Sequence, residues 1–533
     1  MPQPTTPPRS PARIAPALGL LFAALVCTLP VSLFWDELSI PRARGDDFAF
    51  LAASRGGSEP LRHLLEPHNA HVVPAFRLLT AALARLSGSL AEAPTLFLVA
   101  NMLALAGLML ATGHLVAWES RRMAAGLAAT TCLGVTSLLF PAATWFSAGQ
   151  TLWTALFTAL GLVLLQFWRR HNKHYIFIAS CFCSLIAPLF WGGGVVAGIA
   201  SAAYLWATRD NTTRRAALWA LLTSLAALAL WAAFGFASWG KESAGPAVDL
   251  WERPLRALAH TAQAITEGLI FQNLGLDTTA TPQQAVLLLC VIAAAWLWSR
   301  RSNPRLNTLE APGLVLLFVP YFMAYLLRAG YDFASLRTLG WYHTLPHLGA
   351  VLFVAGWILN RSLASPGKPV SPTRAGLAAL CVLAAFLFFL HQPRVQRLVI
   401  SAAPPMTDIT RRLVPILDLQ RHRAVYYFSD ESARQYRALK RLERIQSLTA
   451  AQHVARETLR RQLPPFEIPG WPKALTELDA FDLIPLPDSP GQPLGSALER
   501  QLRDLETPEP VRLLDADNPA SPSYQRAAQA QQP

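Results

Sequence analysis

The chain has 533 residues, 53% of them apolar and only 15% charged, with a mean hydropathy of +0.30. A soluble chain carries about 25% charged residues, so a set of water-facing domains, a coiled coil and a disordered chain are all excluded. The net charge of +13 falls mostly in short loops between apolar runs, and no basic patch alternates with exposed aromatics, so it speaks for membrane topology and against nucleic acid as a partner.

The first element is an apolar run over 14–35, preceded by a Pro-rich stretch carrying Arg9 and Arg13. It resembles a signal peptide, but it is long and lacks a clear small-residue cleavage site, which predicts an uncleaved first span. Further apolar runs follow at 93–118, 123–140, 151–168, 175–190, 194–207, 216–238, 284–299, 313–327, 340–359 and 375–390. They predict an all-α polytopic membrane protein with about eleven transmembrane helices, each near the length of a hydrocarbon core. Only Trp191-Gly192-Gly193 separates 175–190 from 194–207, so a tight hairpin or a re-entrant pair is expected there. Cys27, Cys132, Cys181, Cys183, Cys290 and Cys381 all fall inside apolar runs and read as small buried hydrophobes.

Charge orients these spans. With a cytoplasmic N-terminus, the inside loops carry Arg121 and Arg122, then Arg169, Arg170 and Lys173, then Arg209, Arg214 and Arg215. Arg300, Arg301 and Arg305 come next, followed by Arg361, Lys368 and Arg374. The short outside connections, 141–150 and 191–193, hold no Lys or Arg. This is the alternation that positive-inside insertion demands. The organisation that follows is a transmembrane domain over 1–391 and an extracytoplasmic, mostly helical C-terminal domain over 392–533. The last dozen residues of that domain are expected to be disordered. Two outside loops of the first domain are long, 36–92 and 239–283. In the second, Leu255, Leu258, Ala262, Ile265 and Leu269 recur at helical spacing and predict an amphipathic helix over 249–274 lying on the membrane surface. In the tail, Tyr436, Leu439, Leu442, Ile445 and Leu448 predict a solvated amphipathic helix.

Chemistry-bearing residues gather in the first outside loop: Asp36-Glu37, Arg44-Gly45-Asp46-Asp47-Phe48, then Glu66-Pro67-His68-Asn69-Ala70-His71, Pro74 and Arg77. Two adjacent carboxylates oppose each other's ionisation, and partial desolvation beside a bilayer adds to the basicity of either. Asp46 and Asp47 equally suit the N-terminus of a short helix over 48–54. His68 and His71 could contact a substrate, sit as interfacial histidines, or ligate a divalent metal with Asp46 or Asp47 as a third ligand. A divalent metal is the one cofactor these readings leave open. A second cluster lies at 328–347, where Arg328, Arg337, Trp341, Tyr342, His343 and His347 flank the start of a late span. Polar side chains at such a rim face a cavity, or else Trp341 and Tyr342 anchor the interface while the arginines snorkel. Neither a nucleotide-binding P-loop nor a dinucleotide fingerprint is present.

The succession of a first span, Gly45-Asp46-Asp47-Phe48, Asn69-Ala70-His71 with Pro74 and Arg77, and many later spans resembles the GT-C superfamily of polytopic glycosyltransferases, in particular its bacterial members. The resemblance implies an inverting transfer of a sugar from a polyprenyl-phosphate donor to an extracytoplasmic glycolipid, cell-wall polymer or protein, on a multi-pass inner-membrane protein. It also implies Asp46 or Asp47 as the general base, with His68, His71, Arg77, Arg337 and His343 serving the substrate and its phosphate. His68-Asn69-Ala70-His71 departs from the commoner glycine-histidine form. A transporter or flippase for a lipid or small solute is the rival reading, opposed by the scarcity of charged residues within the spans. A noncatalytic membrane scaffold is the third.

Overall fold

The structure, a computed structural model, describes residues 50, 64–65, 72–87, 93–121, 123–134, 136–208, 211–242, 249, 251–276, 278–301, 306–336, 340–363, 390–391 and 450–462. The predicted spans at 14–35 and 375–390 and the predicted tail helix at 436–448 lie outside them. The chain divides into two compact units. One comprises Met1–Ile40, Leu64–Leu79 and Thr95–Ala403, and the other Pro41–His63, Thr80–Pro94 and Pro404–Pro533.

Helices are the regular elements of the described residues, which contain no strand. In chain order they form α1 (Pro74–Leu86), α2 (Ala93–Ser120), α3 (Met123–Gly134), α4 (Phe140–Thr144), α5 (Gln150–His171), α6 (His174–Phe190), α7 (Val196–Thr208) and α8 (Asn211–Glu242). After these come α9 (Glu252–Gln263), a π-helix over Ala264–Phe271, α10 (Pro282–Ser299), α11 (Glu310–Leu327), α12 (Phe333–Leu336) and α13 (Thr344–Leu363). The helix α14 (Ala450–Gln462) belongs to the second unit. Five helical segments among the described residues are long and apolar enough to cross a membrane: Thr95–Ser120, Ser147–His171, Pro282–Ser299, Glu310–Leu327 and Gly340–Leu359. Met123–Gly134, His174–Phe190 and Gly192–Thr208 are apolar but shorter.

The predicted run 123–140 is interrupted. α3 stops at Gly134, and turns around Ser137 lead into α4, which starts with Pro141 in its first turn. Proline suits the first turn of a helix, where its missing N–H would be unpaired anyway, so α4 starts there. The hairpin expected at 191–194 is tight. A Cβ on Gly194 would lie 2.5 Å from the carbonyl carbon of Ala187, so only glycine lets α7 turn back this closely on α6. At the start of α10 the sequence Thr-Pro-Gln-Gln forms a reciprocal cap. The Thr281 hydroxyl accepts from the Gln284 N–H at 3.3 Å, and the Gln284 amide oxygen accepts from the Thr281 N–H at 2.9 Å. Asn172, left-handed at φ 49°, closes α5 after Arg169, Arg170 and His171, whose charges suit a helix C-terminus.

Apolar packing occupies the interior of the first unit, with Leu108, Met109, Leu115, Leu133, Tyr204, Tyr321 and Tyr325 almost wholly buried. Hydroxyls within the helices bond to their own backbone, as Thr112 does to Leu108 at 2.8 Å and Thr131 to Leu127 at 2.9 Å. Such pairing lets a polar group enter an apolar bundle without an unmet donor.

Two ion pairs tie separate helices at the end where the basic loops gather. The Glu119 carboxylate, near the end of α2, accepts from Gln166 at 3.2 Å, Arg169 at 3.3 Å, Tyr204 at 2.7 Å and Thr308 at 2.6 Å. One side chain thereby links α2, α5, α7 and the segment preceding α11. Beside it, the buried Arg300 and Glu310 pair with each other, and Glu310 also accepts from the Asn307 N–H at 3.0 Å. The Asn307 amide reaches the Gly356 carbonyl at 2.6 Å.

Candidate functional site

Aromatic and polar residues from several connections converge at the opposite end. The edge of one indole meets the face of the other between Trp145 and Trp341, with ring centroids 4.6 Å apart. Tyr342 lies against Trp191 at 5.6 Å, and the Arg328 guanidinium stands 5.3 Å over the Tyr342 ring. Phe146 stacks on Phe76 at 5.3 Å. Thr151 and Thr344 share a hydrogen bond of 3.1 Å below this layer. Trp341 and Tyr342 were open to an interface-anchoring reading, yet Tyr342 is buried and Trp341 half-buried. Both face other helices of the bundle.

His343 is buried one residue further on. Its Nδ1 is hydrogen-bonded by the Tyr321 hydroxyl, and its ring packs so close to Gly268 that a methyl group there would collide with it. That close approach belongs to the π-helix, whose wider turn carries Thr266, Glu267 and Gly268 into the interior. Glu267 is buried and accepts from the Ala280 N–H at 2.8 Å. The expected amphipathic helix over 249–274 is thus divided. Its first part, α9, exposes Trp251, Leu255 and Leu258 along one stripe, as a surface-lying helix would. Its second part sinks into the bundle with Ile265 and Leu269 buried.

His260, on α9, stacks on Phe333 at 5.6 Å and meets the Tyr325 edge at 6.0 Å. Neither ring nitrogen makes a hydrogen bond of good geometry. Partial burial pushes the imidazole below its usual value, and the nearby Arg256 charge acts in the same direction. Gln263, the Tyr331 backbone and Asp332 act in the opposite direction.

Of the sequence-predicted site residues, Arg77 and His343 are described. Arg77 is buried on α1, next to Phe76. Asp46, Asp47, His68, His71 and Arg337 lie outside the described residues, as does any metal set built on them. Among the described residues no group of three or more His, Cys, Asp and Glu side chains is placed to hold a metal.

A separate polar group was legible in the sequence only through His347; its partners were not. The His347 Nε2–H donates to the Cys132 carbonyl at 3.1 Å, and His347 Nδ1 faces the Asn273 amide nitrogen at 3.5 Å. The Asn273 amide oxygen accepts from Thr136 at 2.7 Å, while its nitrogen donates to the Leu269 carbonyl at 2.7 Å. His391 Nδ1 is bonded to Ser137 at 3.1 Å. These groups stand at one end of a cavity of about 710 Å³ walled by α3, the π-helix, α10, α11 and α13. The signal available beforehand was the four-residue spacing of His343 and His347, which places both near one face of a helix. Positions 136, 273 and 391 are too far apart in sequence to announce each other.

No protein-family model and no curated protein matches the sequence. Solved structures that align with it include two of the oligosaccharyltransferase from Archaeoglobus fulgidus. The form tethered with an acceptor peptide has 13% identity and a TM-score of 0.44 over 91% of this chain and 61% of its own. The apo form has 13% identity and a TM-score of 0.42 over 86% and 61%. The chain therefore spans about three-fifths of the length of those proteins.

Proposed function

We propose that the protein is a membrane glycosyltransferase that moves a sugar from a polyprenyl-phosphate carrier to an extracytoplasmic acceptor, a glycolipid, a cell-wall polymer or a protein. The observation that carries this reading is the convergence of Trp145, Trp191, Arg328, Trp341 and Tyr342 at the end of the bundle away from the basic loops. Half-buried indole faces suit a sugar ring, and a guanidinium suits the charge on a departing lipid phosphate. A donor held in the bilayer presents its anomeric carbon at that level, where an acceptor hydroxyl attacks as it loses its proton to a carboxylate. Asp46 or Asp47 is that base in this reading. His68, His71, Arg77 and Arg337 meet the phosphate, and His343, held by Tyr321, fixes the segment that presents Arg337. A single displacement inverts the anomeric centre and needs no covalent carboxylate. The same reading keeps about eleven spans, a cytoplasmic N-terminus, an extracytoplasmic tail and residence in a bacterial inner membrane.

The test uses the purified full chain, a radiolabelled polyprenyl-phosphate sugar and a solubilised bacterial envelope extract as the source of acceptor hydroxyls. Wild type should release polyprenyl phosphate, and Asp46→Asn or Asp47→Asn should slow that release by about 100- to 10,000-fold, the contribution of a positioned base. Normal turnover in both variants removes the base assignment. Solute movement across liposomes without sugar transfer removes the enzyme reading.

A further inference from the structure

The cavity behind His347 is not used by the chemistry proposed above, and its lining specifies a different occupant. Its volume of about 710 Å³ lies within the about 300–1,000 Å³ of ordinary ligand sites. Three of its walls, α10, α11 and α13, are long, apolar candidate spans. Phe318, Val354 and Ile358, which line it, are exposed on the bundle surface. The cavity thus opens sideways, where acyl chains surround a spanning bundle.

Among the described residues the lining contains no Lys, Arg, Asp or Glu, and Thr136, Asn273, His347 and His391 cluster at one end. Their hydrogen bonds keep that end uncharged. Asn273 is fixed on both sides, its oxygen taking the Thr136 hydroxyl and its nitrogen giving to Leu269. Its amide nitrogen therefore faces His347 as a donor, so His347 Nδ1 accepts and the ring proton resides on Nε2, against Cys132. His391 Nδ1 likewise faces the Ser137 N–H at 3.5 Å and carries no proton. A phosphate in this apolar slot would meet no cation among the described lining residues to offset its desolvation.

We infer that this cavity binds an uncharged long-chain lipid whose hydroxyl or carbonyl head meets Thr136, Asn273, His347 and His391 while its chain leaves sideways between α10 and α13. Such a lipid is distinct from the charged sugar carrier. It would be a bound component of the protein.

The test is photolabelling of the full chain in phospholipid nanodiscs with a polyprenol bearing a diazirine on its chain. Adducts are expected on peptides from α10 and α13. An excess of unlabelled polyprenol or of a long-chain quinone should reduce them by about tenfold, and polyprenyl phosphate should compete at least tenfold less well. Whichever neutral competitor acts at lower concentration identifies the head as hydroxyl or carbonyl. Ala293→Trp and Ala350→Trp, which fill the slot from α10 and α13, should each abolish labelling. If a variant does not fold, the competition series on wild type still decides. Equal labelling of α6, on which Tyr175, Ile178 and Phe182 are exposed, would mean bulk bilayer contact and overturn the proposal. Stronger competition by the phosphate would overturn it too, by making the cavity a carrier site. Sugar release, measured separately, reports on the glycosyltransferase reading alone.

Discussion

Glu119 shows how much of the fold can rest on one side chain. Its carboxylate accepts from four residues, and the buried Tyr204 hydroxyl and the Gln166 amide depend on it. Glu119→Ala strands the buried Tyr204 hydroxyl, at a cost of about 1–3 kcal/mol, and takes from Gln166 one of its two acceptors, the other being the Leu115 carbonyl at 3.0 Å. Tyr204→Phe removes a donor and leaves the carboxylate its other three partners, so it should cost about 1 kcal/mol. Thermal unfolding in detergent should place Glu119→Ala well below Tyr204→Phe, and the reverse order would show that the network is incidental. His260 gives a pH signature. Its folded-state value lies below 6.5, so in the window beneath 6.5 the unfolded chain binds a proton that the folded chain refuses. Its contribution is complete above 6.5 and fades as pH falls through that window. Melting temperature should therefore drop between about pH 7.5 and about pH 5.5 more steeply in wild type than in His260→Gln; parallel profiles would remove His260 from the account. At this scale the sequence was only partly legible. The late segment holding Trp341, Tyr342 and His343 announced itself by crowding polar and aromatic groups at the start of an apolar run. Glu119 did not, because its partners lie 47 to 189 residues away.

At the scale of elements, the hydropathy pattern foretold most of what is described. The runs at 93–118, 151–168, 175–190, 284–299, 313–327 and 340–359 each correspond to a helix. Side-chain transfer energy is summed over many residues, so a span survives local exceptions. Departures arise where backbone geometry decides. The 123–140 run breaks at Gly134 and restarts in a separate short helix opened by Pro141, and the helix after Gln263 widens into a π-turn that no periodicity announces. The Trp191–Gly194 turn gives the sharpest test. Gly194→Ala places a methyl group against the Ala187 and Pro188 backbone, where neither neighbour can yield, so a loss of roughly 1–3 kcal/mol is expected. At Gly161 a methyl group would find its neighbours at 3.6 Å or more. Gly161→Ala should therefore fold as well as wild type or better, since alanine is the stronger helix former by about 1 kcal/mol. Equal melting temperatures for the two variants would contradict the close-packed hairpin.

For the whole molecule, the alternation of basic and uncharged connections predicts which loops face the cytoplasm. A reporter enzyme active only outside the cytoplasm should be inactive when fused after residue 172 or residue 302, and active when fused after residue 277. Activity after residue 172 would invert the topology and with it the proposed side of catalysis. The structure bears on this through the two ends of the first unit. The ties Glu119–Arg169 and Arg300–Glu310 lie at the basic end, whereas indole and phenol rings meet at the other. Charge-assisted bonds are directional and resist being drawn apart, while rings can slide over one another. A bulky guest entering at the aromatic end would therefore displace ring contacts and hydroxyl bonds, whereas one entering at the basic end would have to break ion pairs.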